Sequence, residues 1–182
     1  MHVVTLAQHR FTSQSFIASG SEDGIVIVWD VSNQSILFKY QASAEKMAVS
    51  SMKWIHGIKK SHTHNQNMFC IVGTVDGVLL ALDLNGDVLA VKYLGEGNAV
   101  RSLEVNHAKS VVICALEDTS IKAFIFDPLN GKFLELFVAR NPQGGVYAAS
   151  ALCLLNIASM DSMLLFSGSE GGDLSMWIIE KG

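Results

Sequence analysis

Phe16 to Trp29 reads FIASGSEDGIVIVW. Two apolar runs flank a turn at Glu22-Asp23-Gly24, and Asp-Gly is a strong hairpin signal because both residues accept positive φ. The second run is apolar on both faces, with Ile25, Ile27 and Trp29 on one and Val26 and Val28 on the other. A strand covered on both sides reads this way, whereas a sheet with one wet face alternates. The stretch is therefore expected to be a β-hairpin sandwiched between two other layers.

Three further segments align with it without gaps. Phe69 to Leu82 reads FCIVGTVDGVLLAL, Val111 to Phe124 reads VVICALEDTSIKAF, and Leu164 to Trp177 reads LLFSGSEGGDLSMW. Their last aligned positions, Trp29, Leu82, Phe124 and Trp177, are 53, 42 and 53 residues apart. Asp76-Gly77 repeats the turn, while Glu117-Asp118-Thr119 and Glu170-Gly171-Gly172 vary it. A more polar strand is expected after three of the centres, over Ser35 to Tyr40, Val88 to Tyr93 and Phe133 to Phe137. The first two end in Lys-Tyr, and a lysine commonly guards an exposed sheet edge. A fourth strand precedes each centre, over Val3 to Gln8, Val49 to Ile55, Val100 to Val105 and Ala151 to Ile157. Four strands per repeat, at a period near the ~40–45 residues of one blade, is the pattern of a β-propeller.

Ser19-Gly20-Ser21-Glu22-Asp23-Gly24, four apolar residues and then Trp29-Asp30 resemble a WD-repeat signature. The resemblance covers nearly the whole chain. It implies an all-β, WD-type propeller of four repeats, at about 1–40, 41–93, 94–137 and 138–182 of a single unit spanning 1–182. It also implies a buried network in which Ser19, Asp23 and Trp29 join a histidine ahead of the first strand. The chemistry is plain: a buried indole N–H needs an acceptor, and a hydroxyl supplies one. His2 stands near the histidine's place, about one residue off. Ser167 and Trp177 match in the fourth repeat, where Gly171 replaces the aspartate. The second repeat keeps Asp76 with Val72 and Leu82, and the third keeps Asp118 with Cys114 and Phe124. The last repeat is expected to lack its outer strand, making the propeller incomplete, with apolar faces left open at both ends.

The composition agrees with such a fold. Apolar residues make up 49% of the 182 and charged residues 16%, which argues against a disordered chain. Net charge is −4 with a pI near 5.8, and no basic cluster exceeds Lys59-Lys60. Nucleic-acid binding is accordingly disfavoured. No run approaches the ~18 apolar residues of a membrane span, so no membrane insertion is expected. Cys70, Cys114 and Cys153 lie in separate apolar runs, which favours buried reduced thiols in a cytoplasmic or nuclear protein over a disulfide framework.

Enzyme motifs are absent, with no His-Glu-x-x-His, nucleophile elbow or phosphate loop. Gly95-Glu96-Gly97 begins like a dinucleotide fingerprint but leads into a strand and reads as a loop. His56, Lys59, Lys60, His62 and His64 fall in a polar insertion. A His-x-His pair falls short of the three or four ligands of a complete metal site, so no metal, cofactor or catalytic residue is expected. In the family resembled, the turns between second and third strands share a rim with the loops entering each first strand, and that rim docks partners. Glu22, Glu117 and Glu170 occupy equivalent turn positions, where like charges would focus a field on a basic partner segment. The loop from Val138 to Ser150 reaches the same rim and carries Arg140 and Tyr147, residue types enriched in binding hot spots. The expected function is a protein–protein interaction scaffold. The alternative is a fragment of a larger propeller-containing enzyme or multidomain protein without activity of its own.

Overall fold

The computed structural model describes residues 3–11, 14–56, 68–140, 147–156 and 162–179. Every regular element among them is a strand. Sheet 1 comprises β1 (Val3–Phe11), β2 (Gln14–Ser21), β3 (Ile25–Asp30) and β4 (Ser35–Gln41). Sheet 2 comprises β5 (Val49–His56), β6 (Met68–Thr74), β7 (Val78–Leu82) and β8 (Val88–Tyr93). Sheet 3 comprises β9 (Val100–Asn106), β10 (Val111–Leu116), β11 (Ser120–Asp127) and β12 (Lys132–Arg140). Sheet 4 has three strands, β13 (Ala149–Asn156), β14 (Met163–Ser169) and β15 (Leu174–Ile179). Each sheet is an antiparallel meander of sequential neighbours.

The same turn joins second to third strand in all four sheets. The N–H of Gly24, Gly77, Thr119 and Gly172 donates to the carbonyl three residues earlier, at 3.1–3.2 Å. These four residues have φ of 76°, 81°, 67° and 87°, a region that glycine enters freely and a β-branched residue does not. A hydroxyl at the end of the second strand braces three of the turns. Ser21, Thr74 and Ser169 accept from the N–H of Ile25, Val78 and Asp173 at 3.1, 3.0 and 3.3 Å. In sheet 3 that place is Leu116, and Asp118 instead accepts from the N–H of Ser120 at 3.0 Å.

The sheets stack face to face, and their apolar faces make three cores. Val26, Val28, Cys70 and Leu80 are among the residues between sheets 1 and 2. Ile71, Leu79, Val112 and Phe124 lie between sheets 2 and 3. Ile113, Ala123 and Leu165 lie between sheets 3 and 4, with Trp177 packed against them. Among the described residues no core joins sheet 4 back to sheet 1, so the ring is open. Every first strand starts with the same bulge, after Val3, Val49, Val100 and Ala149. Beyond it Val49 packs over Gly20 and Val100 over Gly73, where an added Cβ would stand 2.5 Å from the valine.

Two expectations of burial fail, both at the ends of the stack. Trp29 is 38% exposed, because it lies on the face of sheet 1 that no other sheet covers. Cys153 is exposed while Cys70 and Cys114 are buried, because it lies on the uncovered face of sheet 4.

Candidate functional site

The β2–β3, β6–β7, β10–β11 and β14–β15 turns open on one rim, together with the connections that lead into β5 and β9 and the two described residues before β13. Backbone bonds tie turns to connections: Val75 N–H donates to Ala48 and Glu117 N–H to Ala99, both at 2.9 Å. Glu22, Glu117 and Glu170 are all exposed at the turns. The connections add Glu45 and Glu96, also exposed, which sequence reasoning did not single out. Their signal was available, since each sits a few residues before a first strand.

The rim is not uniformly acidic. Arg101 Nε donates to the Glu117 carboxylate, holding that carboxyl below its ordinary range and raising the guanidinium. The Glu170 carboxylate also acts on Arg101. Arg101 is the bulge residue of β9, where the ladder skips from Val100 to Ser102. Glu22 has no cation against it among the ion pairs of the described residues.

Aspartates at the turns serve the backbone. The Ser21 hydroxyl donates to Asp23, lowering that carboxyl's pKa. For Asp118 burial raises the pKa, but hydrogen bonds from Ser120 and its neighbours outweigh it and the net direction is down. Asp76 accepts from the Ser43 hydroxyl at 2.8 Å, and Asn98 Oδ1 accepts from Asp118 N–H at 3.0 Å. Ser43 and Asn98 thus bind the turns from the preceding connections in sheets 2 and 3.

Each indole meets a hydroxyl of the neighbouring strand on the same face of its sheet. Trp29 Nε1 donates to Ser19 Oγ at 3.3 Å, and Trp177 Nε1 donates to Ser167 Oγ at 3.1 Å. Ser19 passes the chain on to the Ile27 carbonyl at 3.4 Å. Asp23 bonds to Ser21 and not to this pair, and His2 lies outside the described residues.

Arg140 is the last residue of β12, not a loop residue, because the β11–β12 ladder extends to the pair Ser120–Arg140. Tyr147 is 56% exposed, with its ring against Gly171 beside Glu170. Thr119, Tyr147, Ser167, Ser169 and Asp173 line a small hydroxyl-rich hollow there. Asn141, Gly144 and Gly145 lie outside the described residues, as do Lys59, Lys60, His62 and His64. On the opposite rim the rings of His56 and His107 meet at a tilt of 54° with centres 5.1 Å apart, and burial lowers both pKa values. Among the described residues no three His, Cys, Asp or Glu side chains converge to hold a metal.

Residues 2–30 match the family model described as WD domain, G-beta repeat. That match falls on sheet 1, with its Ser19–Trp29 pair and its Asp-Gly turn. Residues 2–30 are a WD repeat. Solved structures agree on the fold of the whole chain. It is similar to a chain of the mitotic checkpoint complex at 15% identity and TM-score 0.74, covering 98% of this chain and 49% of that one. It is similar to Saccharomyces cerevisiae Sqt1 at 18% identity and TM-score 0.69, covering 91% and 41%. The computationally designed Ika4 protein is similar at 20% identity and TM-score 0.64, covering 98% and 94%. The chain thus spans about half or less of the two natural propeller chains and nearly all of the designed one. No curated protein matches its sequence. WD-repeat proteins are typically non-catalytic scaffolds that bind other proteins. No helix of the described residues is long and apolar enough to cross a membrane.

Proposed function

We propose that this WD-repeat protein is an interaction scaffold whose acidic rim docks a lysine- or arginine-bearing segment of a partner protein, with no catalysis of its own. The observation that carries the reading is recurrence: Glu22, Glu45, Glu96, Glu117 and Glu170 come from separate turns and connections and are all exposed on one rim. Carboxylates so placed attract a cationic segment over a Debye length and raise its on-rate more than its final affinity. Arg140 and Tyr147 flank this charge, and Tyr147 offers the ring that a segment would pack on. The free, buried thiols of Cys70 and Cys114 suit an intracellular setting, cytoplasmic or nuclear.

The test uses a labelled lysine-rich peptide and two variants of equal charge change. Glu22→Lys/Glu170→Lys alters the rim and leaves the Arg101–Glu117 pair intact. Asp87→Lys/Glu135→Lys alters exposed carboxylates off the rim. Stopped-flow association should slow about three- to tenfold for the rim variant, with a flatter salt dependence, and far less for the control. Equal slowing by both would reduce the effect to net charge and remove the rim as the site.

A further inference from the structure

The two ends of the stack are complementary. Each internal joint seats the first residue of a first strand against a small residue of the preceding sheet's second strand. Val49 closes over Gly20 and Val100 over Gly73. By the same register Ala149 meets Ala115, so a smaller knob faces a shallower hole. The fourth hole is Gly168, where an added Cβ would meet nothing within 4 Å. The unused knob is Val3, 53% exposed where Val49 and Val100 are 0% exposed.

The rest of the two faces follows suit. Leu174 and Met176 are 77% and 58% exposed. Their counterparts in the ladders, Val26 and Val28, Leu79 and Ala81, and Ile121 and Ala123, are all at 3% or less. On sheet 1, Leu6 is 67% exposed where its counterparts Met52 and Leu103 are at 3% and 1%. One end of the chain therefore presents the uncovered half of a joint, and the other end presents the matching half.

We propose that a second copy of this chain covers both faces, head to tail. Val3 and Leu6 of each copy then seat on Gly168, Leu174 and Met176 of the other, and two stacks close into one ring. A joint between a face and its complement elsewhere on the same chain repeats until it closes, and two copies give two identical joints. The size of a ring fits, because one copy covers 45% of the designed Ika8 chain and 49% of the checkpoint chain. Three strands about 4.8 Å apart and some 18 Å long give a footprint of roughly 250 Å². Two joints with both surfaces counted bury on the order of 1,000 Å², the lower limit for a specific interface. The pair is therefore reversible at working concentrations.

Sedimentation of the 182-residue chain from about 1 to 100 µM tests this, in the range expected for so small an interface. The expected result is a monomer–dimer equilibrium with nothing larger. Gly168→Leu fills an open hole, so it should leave the far-UV spectrum of the monomer unchanged while weakening the dimer at least about 30-fold. Val3→Ala/Gly168→Ala recreates the Ala149–Ala115 pairing and should stay within about tenfold of the parent. Alkylation of Cys153, which sits on the covered face, should slow as concentration rises. The rim variants Glu22→Lys/Glu170→Lys should leave the dimer intact, so this inference and the docking reading fail separately. A monomer throughout, or a dimer indifferent to Gly168→Leu, would overturn the proposal. Growth without limit would overturn the closed pair.

Discussion

Thr119 carries the clearest local conflict in the chain. It stands where the other three turns have glycine, at φ 67°, and a β-branched side chain there costs roughly 1–3 kcal/mol. The turn survives because Asp118 compensates, accepting from the Ser120 backbone and hydroxyl. Thr119→Gly should therefore raise stability by about 0.5–1 kcal/mol, less than the full strain because glycine also loosens the unfolded chain. A urea melt measures it, and a variant no more stable than the parent would mean the turn already relaxes the threonine. The aligned sequence exposed this site, since Asp118-Thr119 falls on Asp23-Gly24. It did not expose Arg101, whose reach to Glu117 depends on a bulge that no residue type announces. The fates of Trp29 and Cys153 were hidden for a different reason. Both lie in apolar runs like those of Trp177 and Cys114, and only the presence or absence of a neighbouring sheet sets their burial.

At the scale of strands, the pattern of the second strands is what spaces the sheets. Gly20 and Gly73 bring β5 and β9 close because a side chain there would collide with the Val49 and Val100 side chains. Gly20→Ala and Gly73→Ala should each destabilise by about 1–3 kcal/mol, the usual result of overfilling a packed joint. Gly168→Ala occupies the same register position with nothing in its way, so the monomer should change by no more than about 0.5 kcal/mol. Equal losses at all three would show that the cost lies within the strand, as a twist or pleat requirement, and not between sheets. Strand order and hairpin register were legible from the repeat, because turn chemistry and two-sided apolar runs are local signals. Ser19 and Trp29 stand ten residues apart, as do Ser167 and Trp177, so the alignment placed both pairs. The histidine and aspartate of the resembled network were less legible. Ser43 and Asn98 bind the turns in sheets 2 and 3, and short polar residues in loops carry no distinctive pattern.

Across the whole molecule, stability should follow position in the stack. Sheets 2 and 3 are covered on both faces: every residue of β6, β7 and β10 is buried. β15 alternates exposed and intermediate positions along its whole length. A stack of this kind gains stability from nearest-neighbour joints, so a sheet with one joint opens before a sheet with two. Amide exchange in dilute solution should accordingly be slowest in β6, β7 and β10 and at least about 100-fold faster in β15, a gap of about 2.7 kcal/mol or more. Uniform protection would mean that the joints couple so strongly that the four sheets open as one unit. The same measurement at high concentration distinguishes the ends from the middle. A second copy on the terminal faces adds a joint to sheets 1 and 4 only, so protection should rise in β3 and β15 while β6 and β10 keep their rates. A rise spread evenly over all strands would point to non-specific association instead, since adventitious contacts have no reason to select the two terminal faces.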